Sequence, residues 1–178
     1  MSRITIKNVR LSYAHLFEPY TAGEGDPKYS AALLIDKNDA ETVKRIAEAI
    51  KAAERAGVEK FGSRWKANRN PLRDGDAEDK GPAYVGKFFM NARSNTAPSV
   101  VDRRVKKITD PAEVYSGCYA NVSVEFYPYS ASGNNGIACG LGNVQKIRDG
   151  EPLDGRVDAS DEFEVLEDET PDLGGLLD

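Results

Sequence analysis

The sequence predicts a mainly β domain, a five-stranded, partly open Greek-key barrel of the OB type with one inserted α-helix and an acidic, flexible C-terminal tail. Three observations predict it. About five short segments alternate apolar and polar residues, one stretch between the second and third carries helical spacing, and the non-tail part of this 178-residue chain has room for one core. A β-sandwich or a mixed α+β sheet fits the same coarse pattern, and periodicity does not choose among them.

From Arg3 to Lys7, Ile4 and Ile6 fall on one side and Arg3, Thr5 and Lys7 on the other, the period of a half-buried strand. Glu18-Pro19 and Gly23 to Pro27 read as loop. A second strand spans Lys28 to Asp36, with Tyr29, Ala31, Leu33 and Ile35 pointing one way. After Asn38 or Asp39 as N-cap, Ala40, Val43, Ile46, Ala47, Ile50 and Ala53 recur at helical spacing until Gly57 offers a stop. The helix's charged face, from Glu41 to Glu54, mixes both signs and reads as solvated. Arg69 to Pro82 is rich in Gly, Pro and charge, an exposed excursion. Alternation resumes from Val85 to Arg93, with Phe88, Met90 and Ala92 inward and Lys87, Phe89, Asn91 and Arg93 outward. Thr96 to Lys107 is loop. Strands at Cys118 to Tyr127 and Ile137 to Ile147 flank a Ser-, Gly- and Asn-rich connection suited to a hairpin.

The whole-chain pI near 5.1 conceals two oppositely charged parts. The last 28 residues hold eleven acidic side chains and one basic one, leaving Met1 to Gly150 with 23 basic and 18 acidic residues, about +5. The expected organisation is an OB-type binding domain over residues 1–150 and an acidic tail over 151–178. A basic body on an acidic leash is the arrangement of a protein that binds a polyanion and must also release it. No apolar run approaches the roughly twenty residues of a membrane span, and the N-terminus lacks a signal-peptide pattern, so a cytoplasmic location is expected. Two cysteines without CxxC spacing and a single histidine leave no structural zinc set.

Candidate binding residues follow from strand phase. Tyr119 and Tyr127 lie on the outer face of their strand, with Tyr129 just beyond Pro128. Lys87, Phe89 and Arg93 share the outer face of theirs. Rings beside cations suit single-stranded nucleic acid, because every base offers a face to stack on and every linkage a phosphate to neutralise. The one tryptophan, Trp65, sits between Arg64 and Lys66, where a base could stack on the indole. Packing of Phe61 and Trp65 against the core, or burial of the strand aromatics by a second layer, are the alternatives. Arg103, Arg104, Lys106 and Lys107 form a further phosphate-binding candidate.

Catalytic motifs are scarce. His15 has no Ser or Cys partner implied by spacing, no phosphate-cradling glycine motif occurs, and no cofactor is indicated. Gly140 and Gly142 read as sites of a bend or close backbone approach. Asp74, Asp76, Glu78 and Asp79 fail the EF-hand spacing. A metal-dependent nuclease using Asp74 and Asp76 with magnesium remains the alternative function, and a tail-driven adaptor a third.

The opening Ile4 to Tyr13, the segment Pro71 to Asp76, the block Asp110-Pro111-Ala112-Glu113-Val114-Tyr115-Ser116-Gly117-Cys118-Tyr119-Ala120-Asn121-Val122 and the run Gly136 to Lys146 resemble the phage-encoded single-stranded-DNA-binding proteins long filed as a domain of unknown function. The resemblance implies an OB-fold, sequence-tolerant binding of single-stranded DNA in phage replication and recombination, and an acidic C-terminus. Tail residues Phe163, Leu166, Leu176, Leu177 and Asp178 are apolar or terminal points among acids, suited to docking on replication or recombination enzymes. Leu176-Leu177-Asp178 stands where several analogous tails carry phenylalanine.

Overall fold

The computed structural model describes residues 2–21, 23–153 and 163–167. Five long strands carry the fold: β1 (Ser2–Tyr20), β2 (Lys28–Asp36), β4 (Lys87–Ser94), β6 (Tyr119–Ala131) and β7 (Asn134–Arg148). Two-residue strands β3 (Arg73–Asp74) and β5 (Val100–Val101) flank them, giving the order β3-β4-β2-β1-β6-β7-β5. A parallel contact of Arg93 on β4 with Gly140 on β7 closes β4, β2, β1, β6 and β7 into a barrel.

β1 serves two partners. Residues up to Arg10 pair with β6 and those from Arg10 onward with β2, so one long strand bends around the barrel. Register shifts between Ile6 and Val9 and between Ser12 and His15 accompany the bend, and each contains a residue at positive φ, Asn8 at 57° and Tyr13 at 46°. Such bulges kink a strand and re-aim side chains. They also explain why the expected strand stopped at Lys7: each inserted residue resets the alternation.

Inside the barrel lie Ile6, Val9 and Leu11 of β1, Leu33 and Ile35 of β2, Met90 and Ala92 of β4, Val122, Val124 and Phe126 of β6, and Leu141 and Val144 of β7. Helix α1 (Ala40–Phe61) adds Ile46, Ala49, Ile50 and Ala53 to the same core. Asp39 caps its N-terminus, accepting a hydrogen bond from the Thr42 amide at 3.3 Å. The helix runs past the expected stop at Gly57 and ends at Gly62, whose φ of 105° suits glycine. Gly57 serves close packing instead. The Trp65 ring lies so tightly against its backbone that a Cβ there would overlap the indole.

Trp65 is therefore not the exposed stacking platform expected from its neighbours Arg64 and Lys66. It is buried, its ring 6.0 Å from that of Phe61, and its Nε1 donates to the Tyr129 carbonyl at 3.2 Å. An indole removes more apolar surface from water than any other side chain, and the chain just past α1 folds back to use it.

Phe89 is a second correction, being 1 % exposed. The excursion before β4 is a covering layer: β3, the short turn α2 (Gly75–Glu78) and a 3-10 turn at Pro82–Tyr84 lie over the outward side of β2 and β4. Tyr84 meets the Phe89 ring edge-on at 5.2 Å, Leu34 completes the cluster, and the Tyr84 hydroxyl donates to Ser12 Oγ at 2.9 Å. Packing also extends past the expected domain boundary at residue 150. Arg10 Nη2 donates to the Glu151 carbonyl at 2.7 Å, the Leu153 amide donates to the Ser116 carbonyl at 2.9 Å, and Leu153 packs on the Leu34 cluster. Among the described residues no helix is long and apolar enough to cross a membrane.

Helix propensity alone would make Gly57→Ala stabilising by about 1 kcal/mol. Overpacking against Trp65 outweighs it, and we expect a net loss of ~1–3 kcal/mol, read as a lower urea midpoint at unchanged slope. A raised midpoint would show that the ring does not need the missing methyl.

Candidate nucleic-acid interface

The barrel's pairing register builds one continuous row across five strands. His15 faces Ser30, Ser30 faces Arg93, Arg93 faces Gly140 and Gly140 faces Glu125. Side chains two positions along a strand share its face, so Ala32, Asn91, Ala138 and Tyr127 lie along one side of this row and Lys28 on the other. Two adjoining cavities, of about 530 and 420 Å³, open along it and share Lys28, Asn91 and Arg93. Together they form a groove.

Exposed rings stand at both ends. Tyr13, 66 % exposed, is thrown outward by the second bulge of β1, in a left-handed conformation that a bulky residue rarely adopts. His15 and Tyr20 stack face to face, centroids 4.4 Å apart and planes within 8°, and Tyr20 lies opposite Lys28 in the ladder. At the other end Tyr127 and Tyr129 project from the β6–β7 ribbon, 43 % and 40 % exposed. Tyr129 lies across Gly136, where a Cβ would come within 2.5 Å of its hydroxyl, so that glycine lets the ring lie flat. Trp65 holds the same hairpin through the Tyr129 carbonyl.

Cations line the walls. Lys28, Arg69, Lys80 and Arg93 make no salt bridge among the described residues, although Lys28 Nζ donates to Asn95 Oδ1 at 2.9 Å. Arg73 pairs with Glu78. Arg73 and Lys80 also lie 4.8 and 5.5 Å from the Phe89 ring centroid, so Phe89 supports two groove cations from beneath. Among the described residues lining the two cavities the one acid is Asp26, and Glu125 ends the row beside them. Burial pushes the Cys139 thiol up to about 12, which keeps that groove residue protonated.

The excursion bearing Arg73 and Lys80 is clasped by Lys37. Its Nζ donates to Asp74 Oδ1 and Asp76 Oδ2, both at 2.6 Å, and Asp76 Oδ1 accepts from the Gly86 amide at 3.0 Å. The Lys37 hydrogen bonds hold both carboxyls below the usual aspartate range and raise the pKa of Lys37. The two acids considered as a magnesium pair thus already hold an ammonium. The described residues contain no group of three or more His, Cys, Asp or Glu able to hold a metal ion.

The groove collects Arg93, Tyr127 and Tyr129 from the residues predicted by strand phase and leaves the others elsewhere. Arg64 and Lys66 are exposed but line neither cavity. Lys87 lies at the opposite end of β4, with its Nζ 3.6 Å from Asp36. Tyr119 shares a strand face with Tyr127 but lies eight residues away, about 26 Å at ~3.3 Å per residue. Its half-buried ring has the Arg148 guanidinium 3.9 Å and that of Arg10 5.7 Å from its centroid. Arg103, Arg104, Lys106 and Lys107 belong to this far end, where Arg103 Nη1 donates to the Ile147 carbonyl at 2.8 Å. Phe163 and Leu166 are exposed, while Leu176, Leu177 and Asp178 lie outside the described residues. Tyr13, His15, Tyr20, Lys28, Arg69 and Lys80 also line the groove and were not singled out from the sequence. Their signal was a cluster of rings and a lysine on either side of a Gly- and Asp-containing turn, obscured by the bulges.

A small closed β-barrel with an open groove of rings and unpaired cations across one face defines an OB-type module for unpaired nucleic acid. The chain belongs to the family described by the Enterobacter phage Enc34 ssDNA-binding protein, whose family model matches residues 2–173. It is 34 % identical over 181 residues to putative protein p50 of Acyrthosiphon pisum secondary endosymbiont phage 1, covering 92 % of this chain and 94 % of that one. The fold is similar to the bacteriophage Enc34 single-stranded-DNA-binding protein solved in complex with ssDNA, with a TM-score of 0.77, 29 % identity, and coverage of 85 % of this chain and 89 % of that one. The single-stranded-DNA-binding protein gp2.5 of bacteriophage T7 shares the fold at a TM-score of 0.64 and 19 % identity, over 93 % of this chain and 99 % of that one.

The clasp has a defined pH window. Carboxyls with depressed pKa values contribute stability above their ordinary range that is lost as pH falls through the folded values, whereas the raised Lys37 contributes below its ordinary value and is lost as pH rises through its folded one. Between about pH 5 and 10 its contribution is flat. Lys37→Met should speed tryptic cleavage within residues 69–80 severalfold across that window and should weaken oligonucleotide binding through misplaced Arg73 and Lys80. Unchanged cleavage would mean that the clasp does not hold the excursion.

Proposed function

We propose that this protein is a non-enzymatic, sequence-tolerant binder of single-stranded DNA that coats exposed strands during phage replication and recombination in the host cytoplasm. The observation that supports it most directly is the groove itself, four exposed tyrosines and the His15 ring interleaved with four cations lacking acidic partners among the described residues. Stacking and phosphate neutralisation are indifferent to base identity, which is the chemistry of sequence-tolerant binding. Four phosphate contacts give a salt slope near −3, at ~0.7 per contact. The occupied carboxylates of Asp74 and Asp76 favour this reading over a magnesium nuclease, and labelled strands incubated with protein and magnesium should remain intact.

The tail is assigned a regulatory role. Its root, Glu151 to Leu153, lines a cavity together with Arg10, Tyr13 and Lys80, and those last two also line the groove. An acidic segment tethered there reaches about millimolar effective concentration at the cations and competes with DNA. Exposed Phe163 and Leu166 are suited to docking on replication or recombination enzymes.

Titration with oligothymidine separates the two aromatic regions. Each stacked base contributes about 1–3 kcal/mol, so Tyr127→Ala should weaken binding roughly tenfold with little change in Tm. Tyr119→Ala should leave affinity within about twofold and lower Tm, because its ring supports Arg148 and Arg10. The reverse pattern would place the strand at the wrong end of the ribbon. Deletion after Arg156 should tighten binding at low salt, and equal affinity of the two chains would remove the competition argument.

A further inference from the structure

The loop between Val101 and Ile108 is a second feature of the surface, and the groove does not account for it. Val101 bridges Lys107, and the Ile108 amide donates to the Val100 carbonyl at 2.9 Å, so the loop is a small hairpin. Asp102 organises its tip. One carboxylate oxygen accepts from the amides of Arg104 at 2.8 Å and Lys106 at 3.0 Å, while the Asp102 amide donates to the Lys106 carbonyl at 2.9 Å. Gln145 Nε2 donates to the Asp102 and Arg103 carbonyls, and Arg103 Nη1 to that of Ile147, fastening the hairpin to β7. The tip is a rigid, anchored projection.

Val105 stands at its end. It is 70 % exposed and sits at φ 63°, in the left-handed region that glycine or asparagine occupies at little cost and a β-branched residue does not. Neither packing nor backbone preference calls for valine there. Val85, which is almost as exposed, has an ordinary φ of −66° and no comparable run of cations around it. Around Val105 are Arg103, Arg104, Lys106 and Lys107, all exposed. A strained apolar residue displayed among cations points to a function that uses both properties.

We propose that this tip is a wedge for the duplex end at a junction of single- and double-stranded DNA: Arg104, Lys106 and Lys107 grip the phosphates of the stem, and the Val105 methyls insert at its terminal base pair. Apolar wedges flanked by cations unstack base steps in this way. An aliphatic side chain lacks the ring face that an unpaired base stacks on, which favours a stacked pair over a single strand as its target. The placement also fits. The tip lies beside Ile147, seven residues along β7 from Gly140 in the groove, or about 23 Å, a span of roughly seven nucleotides at ~3.4 Å per stacked step. One DNA molecule can occupy the groove with its unpaired tail while its stem meets the wedge.

The proposal rests on the single-strand reading of the groove, and its test keeps the two apart. Full-length protein is titrated with plain oligothymidine and with a short hairpin carrying an oligothymidine overhang and a fluorophore–quencher pair across the base of the stem. Wild-type protein should bind both and open the stem. Val105→Gly and Val105→Asn, which relieve the backbone conformation, should fold with an unchanged or higher Tm and bind oligothymidine within twofold, yet open the stem at least fivefold less, while Val105→Leu retains opening. If the glycine and asparagine variants open the stem as wild type does, or if wild type binds the overhang without opening the stem, the wedge is overturned. Failure of wild type to bind oligothymidine would instead overturn the reading of the groove.

Discussion

The parallel contact between Arg93 and Gly140 is the constraint on which the interface depends, because it closes the barrel, joining β4 to β7 across the two edges that the β1–β6 pairing leaves apart. Without it, the row from His15 through Ser30 would end with Arg93 at one sheet edge, and Gly140 beside Tyr127 would stand at the other. With it, one register runs unbroken from His15 to Glu125, and the two cavities become a single path. The groove is thus a property of closure more than of any one strand. Its rings come from β1 and β6, its cations from β2, β4 and the excursion, and no contiguous stretch of sequence contains both sets.

That distribution explains what the sequence could and could not reveal. The phases of β2 and β6 were legible because neither strand carries a bulge, and α1 was legible because its apolar positions recur at helical spacing, whereas β7 was legible only as a span, its pairing with β6 shifting register twice. β1 was not, because Asn8 and Tyr13 each sit at a bulge and shift the alternation. Phe89 was assigned to the correct face of β4, yet that face is covered by Tyr84, which arrives from a segment with no strong periodicity of its own. Trp65 was misread for a related reason. Its flanking cations suggested a surface, but Gly57, eight residues earlier, leaves the space that buries it. Family resemblance identified the fold and the class of ligand, whereas the positions of the rings required the register.

The covering layer links stability to recognition. Phe89 is lost as a stacking surface, but its buried ring supports Arg73 and Lys80 at the groove's edge, and Leu153 closes the same cluster from the tail side. Lys37 then fixes the excursion through two aspartates. A polar clasp outside and an aromatic cluster inside therefore determine where two of the groove's cations stand. Similarly, Trp65 has no direct access to a base yet steadies the hairpin that presents Tyr129.

The tail leaves the body where these elements converge. Leu153 is pinned beside Tyr84, and the cavity it lines with Tyr13 and Lys80 opens toward the strained end of the groove. The proposed competition would be met at this rim, because Tyr13 and Lys80 line both that cavity and the groove. In that proposal a strand displaces the tail as it gains its phosphate contacts, so release by the tail and capture by the groove are two directions of one exchange.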